Sequence, residues 1–259
     1  MRALTELHAR DSGQGEPVLL LHGLMASHRV FDGVIARGQD QNRFLAVDLP
    51  RSGKSKAWAS MRPEDMATAL VAWLESRGVR RAKVIGHSYG GLVGLALAEH
   101  HPRVVAKLVI ISTPALGLPP GGKDVLTVPG AEQIAATIGR FPTVKLVVKN
   151  YLKHFLAGDP GQFSEAWLDG YVETLEAEGA WPAMLEAVRH VGDYRLPVET
   201  LRGNGIETRV LWGDKDRLVP LVQGEQLARA LRAPFTVLHK TGHLVPEEQP
   251  DAVLSALKE

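Results

Sequence analysis

The sequence predicts an α/β fold: a mostly parallel central sheet with helices on both faces and an inserted helical cap. Three observations carry this expectation. Six short apolar runs rich in Val, Leu and Ile show little polar alternation, as strands covered on both faces do. Helical patterns alternate with them, which favours parallel strands joined by helical crossovers. The alternation stops between residues 115 and 200, where the patterns read as helices alone.

The opening segment, RALTELHARDSG, suits an edge strand or a hairpin arm. Core strands are expected over 17–23 (PVLLLHG) and 43–50 (RFLAVDLP). A helix follows over 63–78, because Pro63, Glu64 and Asp65 suit its first turn and Gly78 stops it. The strand at 82–88 (AKVIGHS) runs straight into a helix over 88–102. Further strands are read at 106–112 (AKLVIIS), 208–214 (TRVLWGD) and 235–240 (FTVLHK), with helices over 222–232 and 250–259. The insertion is entered through TPALGLPPGG, 113–122. Its first clear helix is read over 143–158, where Leu146, Val147, Leu152, Phe155 and Leu156 form one stripe; a strand over VKLVV, 144–148, is the alternative. SEAWLDGYVETLEAEG and AWPAMLEAVRHV read as two more helices. The expected organisation is therefore a core of residues 1–114 and 201–259, with 115–200 as a helical cap or lid.

Bulk properties narrow the function. The chain has 259 residues, a net charge of +1 and a sequence pI near 8.1, which give no reason to propose nucleic acid or an anionic membrane as partner. Cysteine is absent, which excludes disulfides, a thiolate nucleophile and cysteine metal sites. That absence fits a reducing cytoplasm, the expected location. The N-terminus lacks the apolar core of a signal peptide. No stretch approaches the roughly 20 apolar residues of a membrane helix. Acids and histidines show no spacing such as His-Glu-x-x-His, so neither a metal nor an organic cofactor is expected.

The chemistry concentrates in Gly86-His87-Ser88-Tyr89-Gly90, which fits Gly-x-Ser-x-Gly. A strand that turns sharply into a helix crowds the backbone two residues before and after the serine. Glycine relieves that crowding and leaves the Ser88 hydroxyl exposed at a helix N-terminus. A serine needs a base to take its proton, and the base needs a carboxylate to fix its tautomer. In chain order Ser…Asp…His, the candidates are Asp214 or Asp216 beyond one strand and His243 in a loop after the last. Asp216 is favoured, because Asp214 directly follows the Gly213 turn and suits a capping role. A developing oxyanion needs fixed backbone donors. The amides of Tyr89, after the serine, and Leu24, after the His22-Gly23 turn, meet that need.

These motifs resemble the α/β-hydrolase fold family. The carriers are HGLMAS (22–27), DLPRSGKS (48–55), GHSYGG (86–91), WGDKDRLVP (212–220) and GHLVPEEQP (242–250), which together span most of the chain. The resemblance implies Ser88 as nucleophile, Asp216 as acid and His243 as base. It implies Leu24 and Tyr89 as oxyanion-hole donors. Asp48 and Gly53 are implied to build a structural turn. Arg51 departs from the pattern, since the family often has glycine there.

The same resemblance narrows the substrate. Haloalkane dehalogenases and epoxide hydrolases of the family use an aspartate nucleophile. Cofactor-free haloperoxidases usually carry methionine after the nucleophile, where this chain has Tyr89. Carbon–carbon bond hydrolases commonly have tryptophan after the histidine, where this chain has Leu244. Proline iminopeptidases hold an amine with cap acids, but ETLEAEG reads as a solvated helix face. The leading expectation is a serine carboxylesterase acting on a small-to-medium hydrophobic ester. A carbon–carbon bond or lactone hydrolase on the same residues, and a small-molecule receptor on the same fold, remain alternatives. Expected pocket residues are Met25, Leu116, Phe141, Phe155, Trp167, Trp181 and Leu244, drawn mostly from an apolar cap.

Overall fold

The six apolar runs become six neighbouring parallel strands in the computed structural model, which describes residues 7–55, 60–117, 142–176 and 180–258. In chain order the strands are β1 (Ala9–Ser12), β2 (Glu16–Leu21), β3 (Asn42–Val47), β4 (Ala82–His87), β5 (Val105–Ile111), β6 (Thr208–Gly213) and β7 (Phe235–Leu238). They lie in the order β1-β3-β2-β4-β5-β6-β7. Only β1 runs antiparallel, with Ala9 opposite Val47 at the sheet edge. The rest share one direction, so Leu21, Val47 and Gly86 stand side by side at one end.

The strands lack polar alternation because both faces of the sheet are covered. Leu19, Leu21, Leu45, Val47 and Val84 belong to one apolar cluster. Their neighbours Val18, Leu20, Phe44, Ala46 and Ile85 belong to another. Helices supply the other half of each. Against the first cluster pack α2 (Pro63–Ser76), through Met66, Leu70, Trp73 and Leu74, and α3 (Tyr89–His100), through Leu92 and Leu95. Against the second pack the shorter α1 (Asp32–Gly38), through Val34 and Ile35, and the C-terminal helix, through Val253 and Leu257.

Between β5 and β6 the described residues form α4 (Pro142–Tyr151), α5 (Glu165–Glu176), α6 (Ala180–Asp193) and the short α7 (Val198–Gly203). The VKLVV segment is helical, and α4 runs on into one wider turn over Leu152–Leu156. After β6 come α8 (Leu221–Leu231), then α9 (Val245–Glu248) and α10 (Pro250–Lys258) beyond β7. The short helices α1 and α7 carry too few periodic residues to stand out in the sequence. Among the described residues no helix is long and apolar enough to cross a membrane.

The turn after β3 answers the question posed by Arg51. That residue adopts φ 58°, the left-handed region that glycine enters without strain. The loop thus keeps a glycine-like backbone around a larger side chain. Gly53, at φ 54°, lies where any side chain would strike the Asp48 carboxylate.

Candidate active site

Residues at the carboxyl ends of β2, β4 and β6, and in the loop after β7, converge on one cavity, the usual place for ligands in such sheets. Ser88 is the single residue between β4 and α3. Its φ of 53° and ψ of −121° are strained for a residue with a side chain. Two hydrogen bonds hold it there. Its amide donates to the Ile111 carbonyl at 2.8 Å, and its carbonyl accepts from Gly91 at 3.0 Å. The flanking glycines are needed for space: a Cβ on Gly86 would sit 2.6 Å from the Gly90 carbonyl oxygen. The His22-Gly23 turn presses on the serine from the other side, since a Cβ on Gly23 would lie 2.9 Å from that of Ser88.

His243 is placed by its backbone as much as by its ring. Its amide donates to the Leu156 carbonyl at 2.7 Å, and its carbonyl accepts from His87 Nε2 at 2.8 Å. Its Nδ1 lies 2.8 Å from Oδ2 of Asp216. The other oxygen of that carboxylate accepts from the amides of Leu218 and Val219 at 3.0 and 2.8 Å. Trp212 in turn donates its indole N–H to the Val219 carbonyl at 2.8 Å, which closes the loop around Asp216. Burial opposes ionisation of Asp216. The His243 imidazole and the Val219 amide outweigh it and hold the carboxyl below its ordinary value. An ionised Asp216 makes Nδ1 of His243 the protonated nitrogen and leaves Nε2 free to act as a base.

Asp214 has a different task. It accepts from the Thr241 amide at 3.3 Å and faces the exposed His239 at 3.2 Å, so it ties the β6 end to the following loop. His22 and His87 are buried framework histidines. His22 Nδ1 donates to the Gly23 carbonyl at 2.7 Å while its Nε2 accepts from Leu49 at 2.9 Å. Burial and the nearby His243 push the pKa of His87 down to about 3, so it stays neutral.

The cavity has a volume of about 360 Å³. Gly23, Leu24, Ser88, Tyr89 and His243 are among the residues that line it. Tyr89 opens α3, so its amide is among the first N–H groups of a helix, which have no partner within it. The tyrosine ring points elsewhere, its hydroxyl donating to the Met61 carbonyl. The remaining wall is mostly apolar, broken by His87, Tyr151, Tyr171 and Gln223, and no Asp, Glu, Lys or Arg stands among its described residues.

Of the expected pocket residues, Met25 and Leu244 line this cavity. Four others do not, and the expectation is corrected there. Leu116 and Phe155 are exposed, the latter stacked on Tyr151 with centroids 4.9 Å apart. Trp167 stacks on Phe163 at the wall of a separate cavity of about 420 Å³. Trp181 packs against the second apolar cluster. Phe141 lies outside the described residues. Along this segment Tyr151, Leu152 and Leu156 line the cavity and Phe155 does not. Met184 and Val188 of α6 complete that side.

One group among the described residues brings metal-type ligand atoms together: His8, His28 and Asp48. The two Asp48 oxygens lie 2.8 Å from Nδ1 of His8 and of His28 and also accept backbone amides of His28 and Lys54. Hydrogen bonding therefore accounts for this group. Sequence reasoning missed Glu248, whose buried carboxylate accepts from Gly242 and Gly158. Its signal in the sequence, an acid five residues after the histidine, is indistinguishable from a solvated one.

Residues 18–256 match the model of the alpha/beta hydrolase family. Among characterised relatives, a pimeloyl-[acyl-carrier protein] methyl ester esterase of Vibrio vulnificus is 29% identical over 88% of this chain and 87% of its own length. A 2-hydroxy-6-oxononadienedioate/2-hydroxy-6-oxononatrienedioate hydrolase of a Pseudomonas species is 25% identical over 95% and 88%. The crystal structure of Cfl2 from Burkholderia cenocepacia superposes with a TM-score of 0.81 at 23% identity, covering 97% of this chain and 90% of that one.

Proposed function

The chain belongs to the alpha/beta hydrolase family, and on that premise we propose that it hydrolyses carboxylic esters of small-to-medium hydrophobic substrates through an acyl-enzyme. The observation that carries this reading is the charge-assisted contact of 2.8 Å between His243 and Asp216, with His243 and Ser88 sharing the wall of one apolar cavity. In the first half-reaction, Nε2 of His243 takes the hydroxyl proton as Ser88 Oγ bonds to the carbonyl carbon. The amides of Leu24 and Tyr89 stabilise the oxyanion. Collapse breaks the ester C–O bond, and His243 returns its proton to the leaving alkoxide. In the second half, His243 takes a proton from water, whose oxygen bonds to the acyl carbon. The free acid leaves and Ser88 regains its proton. Residues 115–200 act as the lid over this site, with α4, its wider turn and α6 supplying the acyl pocket.

The chemistry of the wall supports a neutral ester over a dicarboxylate. The Pseudomonas relative's substrates are dioates by name. No Lys or Arg stands among the described residues of the cavity wall to pair with a carboxylate. The vibrio relative acts on a methyl ester, in which the carboxylate charge is masked. A serine-directed fluorophosphonate followed by peptide mass spectrometry tests the assignment. The adduct is expected on Ser88, and labelling elsewhere would remove the nucleophile. A p-nitrophenyl ester series of rising chain length then measures the pocket. Tight binding of an ester without Ser88-dependent turnover would favour a receptor instead.

A further inference from the structure

Helix α9 begins two residues after His243, and its last residue, Glu248, points back into the protein with 6% of its surface exposed. Its carboxylate joins two segments that are far apart in sequence. Both oxygens accept from the Gly242 amide, at 3.0 and 3.1 Å, and Oε2 also accepts from the Gly158 amide at 2.8 Å. Gly242 is the residue before His243. Gly158 lies two residues beyond Leu156, which lines the cavity. The two segments also touch directly, through the 2.7 Å bond from the His243 amide to the Leu156 carbonyl. Neither glycine has room for a side chain: a Cβ on Gly158 would lie 2.6 Å from the Gly242 nitrogen, and one on Gly242 would lie 2.6 Å from the Ala157 carbonyl carbon.

We infer that Glu248 is a positioning residue that locks the pocket wall at Leu152–Leu156 to the loop carrying His243, so that base and acyl pocket move as one piece. The inference rests on the ester-hydrolase reading for its kinetic consequence. Its physical basis is the pairing of one acceptor with two donors from different segments. Both oxygens face backbone N–H groups. A glutamine would keep one oxygen but turn an amide N–H towards an N–H. The lost alignment falls on His243, where a displacement of about 1 Å costs on the order of a hundredfold in rate.

The test is Glu248→Gln, assayed with the ester on which the wild type turns over best. A kcat at least tenfold lower with KM within about twofold is expected, because the wall stays apolar while the base loses its placement. A kcat within twofold of wild type, or a loss carried by KM, would overturn the inference. Hydrogen exchange on the unmodified protein supplies a readout independent of substrate and of the variant's folding. Peptides covering 152–158 and 240–248 should lose protection at the same rate. A freely exchanging 152–158 segment beside a protected 240–248 segment would also overturn it. Failure of the ester reading has a separate signature, since Ser88→Ala would then retain turnover while the exchange behaviour stood unchanged.

Discussion

Two buried carboxylates, Asp48 and Asp216, follow strands β3 and β6 at the same end of the sheet, and each faces histidine Nδ1 at 2.8 Å. As isolated pairs they look alike. They differ in what lies beyond the imidazole. His243 lines the cavity with Ser88, while the adjoining rings of His8 and His28 each face one oxygen of Asp48 and line no part of that cavity. Asp48 spends both oxygens on four N–H groups, which pin the segments around His8, His28 and Lys54 together. Asp216 holds its own loop through one oxygen and faces His243 through the other. An acid–histidine contact therefore signals chemistry only when the imidazole also borders a nucleophile.

The contrast can be broken most directly at the serine. On the proposed mechanism, Ser88→Ala is expected to lower kcat for a p-nitrophenyl ester by about 10⁴-fold or more, since groups that act as a unit fail together when one is removed. Steady-state assays that found turnover preserved would end the comparison, because His243 would then border nothing reactive. Asp216→Asn should come next, with kcat down by about 10²- to 10⁴-fold and a fold intact by circular dichroism. Asp48→Asn should separate the two carboxylates. It is expected to cost roughly 3 kcal/mol of stability, measured by thermal or urea unfolding, because it breaks a buried hydrogen-bonded charge. Its kcat should change far less than that of Asp216→Asn.

The acid limb sharpens this further. Burial opposes the Asp48 charge, but His28 and neighbouring donors overcome it and hold the carboxyl below its ordinary value. A depressed carboxyl stabilises the fold above its unfolded pKa, about 3.9, and loses that contribution as pH falls below it. The stability gap between wild type and Asp48→Asn should therefore narrow as urea unfolding is repeated below about pH 4. A gap that widened would assign the stabilisation to another group. The smallest effect is expected for Asp214→Asn, with kcat within about twofold, since among the described residues the Asp214 carboxylate faces the exposed His239 and the Thr241 amide.

The six parallel strands were legible because they are short, mainly apolar runs, and burial on both faces leaves them little other pattern. The strand–serine–helix junction was legible because Gly86 and Gly90 sit where backbone contacts forbid a side chain. Asp216 could be preferred to Asp214 from turn chemistry alone. The pocket was not legible to the same degree. Phe155 belongs to the apolar stripe of its helix, yet it stacks on Tyr151 at the surface, and the wider turn over 152–156 interrupts the helical period there. A single extra residue in a helical turn leaves no mark in periodicity. Trp167 was lost for another reason: aromatic residues suit any apolar wall, and the sequence does not say which of two cavities a helix faces.

The closeness of Gly158 to Gly242 sets a rule for chimeras. On the proposed reading of residues 115–200 as a lid, exchange of this insertion between members of the family would be a way to change substrate range. Here the seam does not lie at the ends of the insertion. Residues 156–158 are built to the shape of the loop around His243, and the loop to them. A donor segment spliced without a glycine at 158 would press a side chain into the backbone beside His243. Swapped insertions should therefore succeed when 156–158 stay with the host, or when 240–248 travel with the guest.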